Sequence, residues 1–266
     1  MPALRTVKQI MDPYSQIARF YDWENAEFTE DLPIWCDLAR EHGGPVLELG
    51  CGSGRVLLHL AREGFEATGV DSSPAMIALA RARLARQPKI ADRILLVETD
   101  FRRLELHQTY PLIILPFNTF SHLTDAADAD AALRAIAAHL APAGTLALAL
   151  PNPIPIYSDI PEGLVLERTF HNGEKNLTVQ QFSSLRVDRA AQLGFITWIY
   201  DEIDPAGKVT RTTVPMTLRY FFPNELPLLL ERSGLRLLHL WGDYDRSPFS
   251  EDSPTMIAIA GRIADT

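Results

Sequence analysis

Through the first half of the chain, short apolar runs alternate with segments of helical periodicity. Val46–Gly50 (VLELG) reads as a buried strand, followed by a glycine turn over Gly50–Gly54 and a helix over Arg55–Glu63. Ala67–Val70 gives the next strand. Ser72-Ser73-Pro74 then opens a helix reaching Arg86, with a hydroxyl cap and a proline in its first turn. Ile94–Glu98 and Leu112–Pro116 predict a third and fourth strand, Asp128–Leu140 a helix, and Gly144–Leu150 a fifth strand. This alternation predicts a parallel, doubly wound α/β sheet.

The rhythm changes after Pro151. Pro151, Pro153, Pro155 and Pro161 mark an irregular crossing, and four β-rich runs follow: Leu164–Phe170, Leu177–Val187, Leu193–Ile203 and Val209–Phe221. Asn172-Gly173 and Asp204-Pro205-Ala206-Gly207 are turn signals between them. The runs predict an antiparallel insertion packed over or beside the main sheet. Pro223–Arg232 resumes as a helix, and Leu235–Trp241 and Thr255–Arg262 close the chain as strands. The expected organisation is one domain: a helical cap (1–44), a core (45–155), the β insertion (156–222) and a closing helix and strands (223–266).

Composition narrows the function classes. Of 266 residues, 47% are hydrophobic and 22% charged, which places the chain among globular proteins and away from disorder. The net charge of −9 repels phosphate backbones, and no Lys/Arg stripe compensates, so nucleic acid is not an expected partner. A small-molecule substrate, cationic or neutral, fits better. Two cysteines, Cys36 and Cys51, are too few for a disulfide or zinc framework, and the seven histidines show no ligand spacing, so no metal is expected. The opening MPALRTVKQIMDPYSQ lacks the apolar core of a signal peptide, and no run of about 18 apolar residues suggests a membrane span. A cytoplasmic location without membrane contact is the default expectation.

Candidate chemistry gathers at the strand ends. Glu48-Leu49-Gly50-Cys51-Gly52-Ser53-Gly54 lies between a buried strand and a helix, where alternate glycines let the backbone turn and approach a ligand. Free N–H groups at the following helix start favour negative charge. The spacing differs from G-x-G-x-x-G, because Arg55 and Val56 follow Gly54 directly. Asp71, with Ser72 after it, ends the next strand about 20 residues on, where a carboxylate is placed to accept both hydroxyls of an adenosine ribose. The alternative makes Asp71 a helix cap, a need that Ser72 and Ser73 already meet. At the end of the third strand, Asp100 is placed to accept from an adenine amino group and Phe101 to offer its N–H and an apolar face; an ordinary turn is the alternative.

Together these elements resemble the class I S-adenosylmethionine-dependent methyltransferases. The resemblance runs from about residue 14 to 262 and implies a Rossmann-like sheet of seven strands in the order 3-2-1-4-5-7-6, the last antiparallel. It implies S-adenosylmethionine as cofactor and S-adenosylhomocysteine as product, with Gly50, Cys51, Gly52 and Gly54 in the cofactor loop. Glu48 is then near the methionine ammonium, Asp71 on the ribose, Asp100-Phe101 on the adenine, and Pro116 at the edge of the site. Nucleobase amino-methyltransferases carry an Asn/Asp-Pro-Pro-aromatic motif after the fourth strand. Here the stretch is Leu115-Pro116-Phe117-Asn118-Thr119-Phe120-Ser121-His122-Leu123, which argues against a nucleobase acceptor. With Tyr14 and Tyr21 it is similar to the subgroup methylating amino sugars and other small amines, with glycine N-methyltransferases more distant. A β-rich insertion in that subgroup often contributes to dimerisation, so a homodimer is implied.

His122 is the leading candidate for proton acceptor or substrate orienter; capping of the next helix is its alternative. Tyr14 and Tyr21 are placed on the cap facing the transferred methyl, or else anchor the cap on the sheet. Asn118, Asp243, Tyr244 and Asp245 are candidates for the acceptor site, with a solvated hairpin the alternative for Asp243 and Asp245. The function expected is methylation of a small molecule, nitrogen ahead of oxygen. Methylation at oxygen, a non-catalytic protein binding the same cofactor, and a nicotinamide oxidoreductase are the rivals, the last opposed by the glycine spacing.

Overall fold

The computed structural model describes residues 12–25, 27–158, 162–173 and 176–263. Most of the chain opening and part of the Asn172-Gly173 connection, on which expectations rested, lie outside the described residues, as does Pro161. The elements in chain order are α1 (Pro13–Glu24), α2 (Leu32–His42), β1 (Val46–Leu49), α3 (Arg55–Arg62), β2 (Ala67–Asp71), α4 (Pro74–Ala85), α5 (Pro88–Ala91), β3 (Ile94–Glu98), β4 (Tyr110–Leu115), α6 (Ala126–His139), β5 (Leu140–Pro151) and α7 (Pro153–Ser158). The insertion follows as β6 (Val165–Asn172), β7 (Leu177–Asp188), β8 (Leu193–Ile203) and β9 (Val209–Arg219). The chain closes with α8 (Leu226–Glu231), β10 (Leu235–Trp241) and β11 (Thr255–Arg262).

The main sheet has seven strands in the order β10-β11-β5-β4-β1-β2-β3. β1, β2, β3, β4 and β5 are parallel, whereas β11 runs antiparallel between β5 and β10. This is the expected seven-stranded Rossmann-like topology. β1 is buried along its whole length because both sheet faces are covered. On one face β4, β5 and β11 pack against α6 and α8 through Leu133, Ile136, Leu148 and Leu230; on the other, α2 and α3 contribute Ile34, Trp35, Leu38 and Leu60. Ser73 caps α4 by accepting from the Met76 N–H, as the sequence signal predicts, and Asp125 caps α6 through the Ala127 N–H.

β6, β7, β8 and β9 form a separate antiparallel sheet. α1 lies on one face of it, with Ile17 and Phe20 packed against Val179, Tyr200 and Val214. The Phe20 and Tyr200 rings stack at 4.5 Å. Four expectations shift. The crossing after Pro151, expected to be irregular, contains a short helix, α7. β5 starts at Leu140, ahead of the expected Gly144, and β4 at Tyr110. The helix expected over Pro223–Arg232 shrinks to Leu226–Glu231, because Phe222–Glu225 closes a turn in which the Glu225 carboxylate accepts the Phe222 N–H at 2.8 Å. Among the described residues no helix is long and apolar enough to cross a membrane.

Candidate active site

The site sits at the carboxyl ends of β1, β2 and β4, the crevice that an open α/β sheet leaves where its strand order reverses. A cavity with an open volume of about 620 Å³ is lined there by Gly50, Gly52, Asp71, Ser72 and Phe101 from the sheet side, by Tyr14 and Tyr21 from α1, and by Phe117, Thr119 and His122 from the segment after β4. A smaller inner cavity reaches Glu48, Cys51, Arg55 and Pro116, and shares Tyr21, Gly50 and Phe117 with the first. Most of the residues expected at the cofactor are therefore brought together.

The glycine loop is shaped by close approach. Gly50 has φ of 69°, and a Cβ there would meet the Thr119 side chain at 2.3 Å. Gly52 donates its N–H to Asp71 Oδ2 at 2.8 Å, and Ser73 donates to Asp71 Oδ1 at 2.8 Å. Asp71 thus ties the loop to the start of α4 while lining the cavity, and burial raises its pKa from the usual carboxylate value. Cys51 fills space behind the loop, and burial pushes its thiol well above the ordinary value.

The methionine end is zwitterionic in its demands, and the inner cavity supplies both signs. Glu48 is buried, and its Oε2 has no hydrogen-bond partner. Burial pushes its carboxyl well above the usual range, although Arg55 pulls it back in part. Arg55 is held by Asp31 through two bonds of 2.6 Å, and Asp31 also accepts from the Trp35 indole at 3.0 Å. An orphaned buried carboxylate oxygen beside a fixed guanidinium fits an amino-acid ammonium and carboxylate.

Tyr14 Oη and His122 Nε2 lie 2.8 Å apart in the cavity wall. Burial lowers the His122 pKa from 6.5 to about 4, so the imidazole is neutral at physiological pH. Burial, then Tyr21 and the carboxylates of Asp71, Glu24 and Asp12, raise the Tyr14 phenol well above its usual value. Asp125, not His122, caps α6, which removes the capping role.

Three expected residues stand apart: Gly54 lines neither cavity and, with φ of 79°, faces Ala80 of α4. Asp100 does not line the cavity; it accepts from the Arg102 guanidinium, with Nε to Oδ2 at 2.8 Å, and Arg102 also pairs with Asp128. Asp245 is exposed and accepts the Ser247 N–H at 2.8 Å, closing a turn of its own. Asn118, Asp243 and Tyr244 do converge, with Phe28, Glu30 and Phe117, around a neighbouring vestibule whose charged lining residues are both acidic. Phe117 and Asn118 hold left-handed φ values of 58° and 63° where this vestibule meets both cofactor cavities. Arg55, Asp31, Asp12, Ser73 and Thr119 were not singled out from sequence. The Ser73 hydroxyl donates to Asp12 Oδ2 at 2.5 Å, a contact across 61 residues that no local pattern encodes.

Comparison with known proteins agrees with this geometry. Residues 46–144 match the family described as methyltransferase domain. The fold and the cofactor core of the chain are those of the class I S-adenosylmethionine-dependent methyltransferases. Its cofactor is S-adenosylmethionine. The chain is 28% identical over 222 residues to the cypemycin N-terminal methyltransferase of a Streptomyces species, covering 83% of this chain and 84% of that one. It is 29% identical over 142 residues to the dTDP-3-amino-3,6-dideoxy-alpha-D-glucopyranose N,N-dimethyltransferase of Streptomyces fradiae, covering 51% and 53%. Among solved structures, the CcbJ methyltransferase from Streptomyces caelestis superposes with a TM-score of 0.80 at 26% identity, covering 95% of this chain and 98% of that one. Among the described residues of this methyltransferase, no group of three or more His, Cys, Asp or Glu is arranged to hold a metal ion.

Proposed function

We propose that this methyltransferase methylates the nitrogen of a small amine, with the Tyr14–His122 pair orienting the acceptor. The observation that carries the reading is that pair, 2.8 Å apart, in the wall of the cofactor cavity. The bound cofactor supplies an electrophilic methyl on a sulfonium. An amine held there would take that methyl in exchange for one N–H proton released to solvent, leaving a neutral thioether. The Tyr14 oxygen, held by the neutral His122 imidazole, accepts from an amine N–H without carrying charge, which leaves the amine lone pair free to face the methyl. Glu48 and Arg55 fix the methionine end, and Asp71, Ser72 and Phe101 the adenosine.

Asn118, Asp243 and Tyr244 are the proposed acceptor contacts. Burial, then Asp31, raise the Tyr244 phenol, and the vestibule's charged lining residues, Glu30 and Asp243, give it a negative field. That field favours a basic amine over an acidic group as the acceptor. The relatives named above, acting on a peptide N-terminus and on an amino sugar, support nitrogen as the methylated atom. The test is S-adenosylhomocysteine release with a panel of amines, alcohols and their phosphorylated partners. Turnover should be confined to amines, and His122→Asn with Tyr14→Phe should lower kcat by about 100-fold while S-adenosylhomocysteine affinity holds. Turnover of alcohols alone, or an unchanged kcat in the double variant, overturns the reading.

A further inference from the structure

Behind the cofactor loop lies a second cleft, which shares only Arg55 with the two cofactor cavities. It opens between the α1–α2 connection, one face of α3 and the end of α4, with an open volume of about 830 Å³. Its ionisable lining residues are all basic: Arg55, Arg62, Arg83 and Arg86, with His59 among them. In a chain of net charge −9, this reverses the sign of the average surface. Half-buried Arg55, Arg83 and His59 form the floor, and exposed Arg62 and Arg86 the mouth.

Three of the four guanidiniums are already held in place. Arg55 is fixed by Asp31, Arg83 meets Asp22 at 2.9 Å, and Arg62 aims two N–H groups at Gln87 Oε1, at 3.0 and 2.8 Å. Those carboxylates offset Arg55 and Arg83. Among the described residues neither Arg62 nor Arg86 has an ion pair, so two positive charges at the mouth stay uncompensated. Forks held before a ligand arrives lose little side-chain freedom on binding, and several planar guanidiniums around one opening match an oxyanion with many acceptor atoms.

We propose that this cleft is an anion site for a phosphate-bearing small molecule, separate from the methyl-transfer site. Pyrophosphate is the probe, titrated calorimetrically at low salt into protein saturated with S-adenosylhomocysteine so that the adenosine site is blocked. Saturable one-to-one binding at about 1 mM or tighter is expected. Arg62→Gln with Arg86→Gln should weaken it about tenfold, whereas Arg134→Gln with Arg236→Gln, the same charge change on exposed positions elsewhere, should weaken it less than about twofold. ADP in place of pyrophosphate separates the sources. Equal affinity assigns the diphosphate alone, tighter binding assigns a nucleotide, and either sustains the site. Absence of saturable binding, or an equal loss in both double variants, overturns it.

Discussion

Glu48 shows how one residue can serve binding at the expense of stability. Its carboxylate is buried with one oxygen unpartnered, so ionisation is disfavoured in the fold and becomes favourable when an ammonium arrives. Glu48→Gln should therefore melt higher by about 2–4 °C, in line with about 1 kcal/mol, while binding S-adenosylhomocysteine at least about tenfold more weakly. Paired calorimetric melts and titrations check both signs. His122 works in the opposite direction. Its folded pKa, near 4 against 6.5 when unfolded, means that the native state binds fewer protons in between. The stability this represents is present above pH 6.5 and lost as pH falls toward 4, up to about 3 kcal/mol. Between pH 7 and pH 4, His122→Asn should lose less stability than the parent, measured by denaturant melts. Asp71 was legible in the sequence from its place at a strand end beyond the glycine loop, and Glu48 and His122 through the resemblance to the methyltransferases. Asp31, which fixes Arg55 across 24 residues, was not, because that contact is made by packing.

The loop between β1 and α3 sets what the element scale can tolerate. A methyl group at residue 50 would strike Thr119 Cγ2 at 2.3 Å and Oγ1 at 2.6 Å, on a backbone whose φ of 69° already disfavours a side chain. Gly50→Ala should destabilise the protein by about 1–3 kcal/mol and abolish measurable cofactor binding. Adding Thr119→Gly removes the clash but leaves the strained φ, so stability should return only in part. Element types were readable where the period was clean. Buried β1 and the alternating runs of β7 and β8 were placed within a residue or so. The misses have local causes: prolines 153 and 155 masked α7, and a side-chain-closed turn at Phe222–Glu225 shortened α8. Asp100 was misplaced relative to the cavity because Arg102, two residues on, captures its carboxylate, and spacing alone does not reveal that competition.

At the scale of the whole molecule, strand–helix alternation gave the parallel, doubly wound class and the resemblance to the methyltransferases implied the strand order, whereas the relation between cap and insertion was not legible. α1 joins three parts at once. Tyr14 and Tyr21 look into the cofactor cavity, and Ile17 and Phe20 rest on the insertion sheet. Glu24 accepts from Gln181 at 2.7 Å and from Tyr200 at 2.8 Å, and the Arg168 guanidinium donates to its backbone carbonyl. A helix whose Tyr14 both lines the cofactor cavity and pairs with His122, the proposed acceptor orienter, cannot settle over one ligand without also settling a contact to the other. The kinetic signature is a compulsory sequence: cofactor enters first and its spent form departs last. Added S-adenosylhomocysteine should then compete with S-adenosylmethionine in initial-rate plots yet act as a noncompetitive inhibitor toward the amine, and competition against both would show that the two enter in either order.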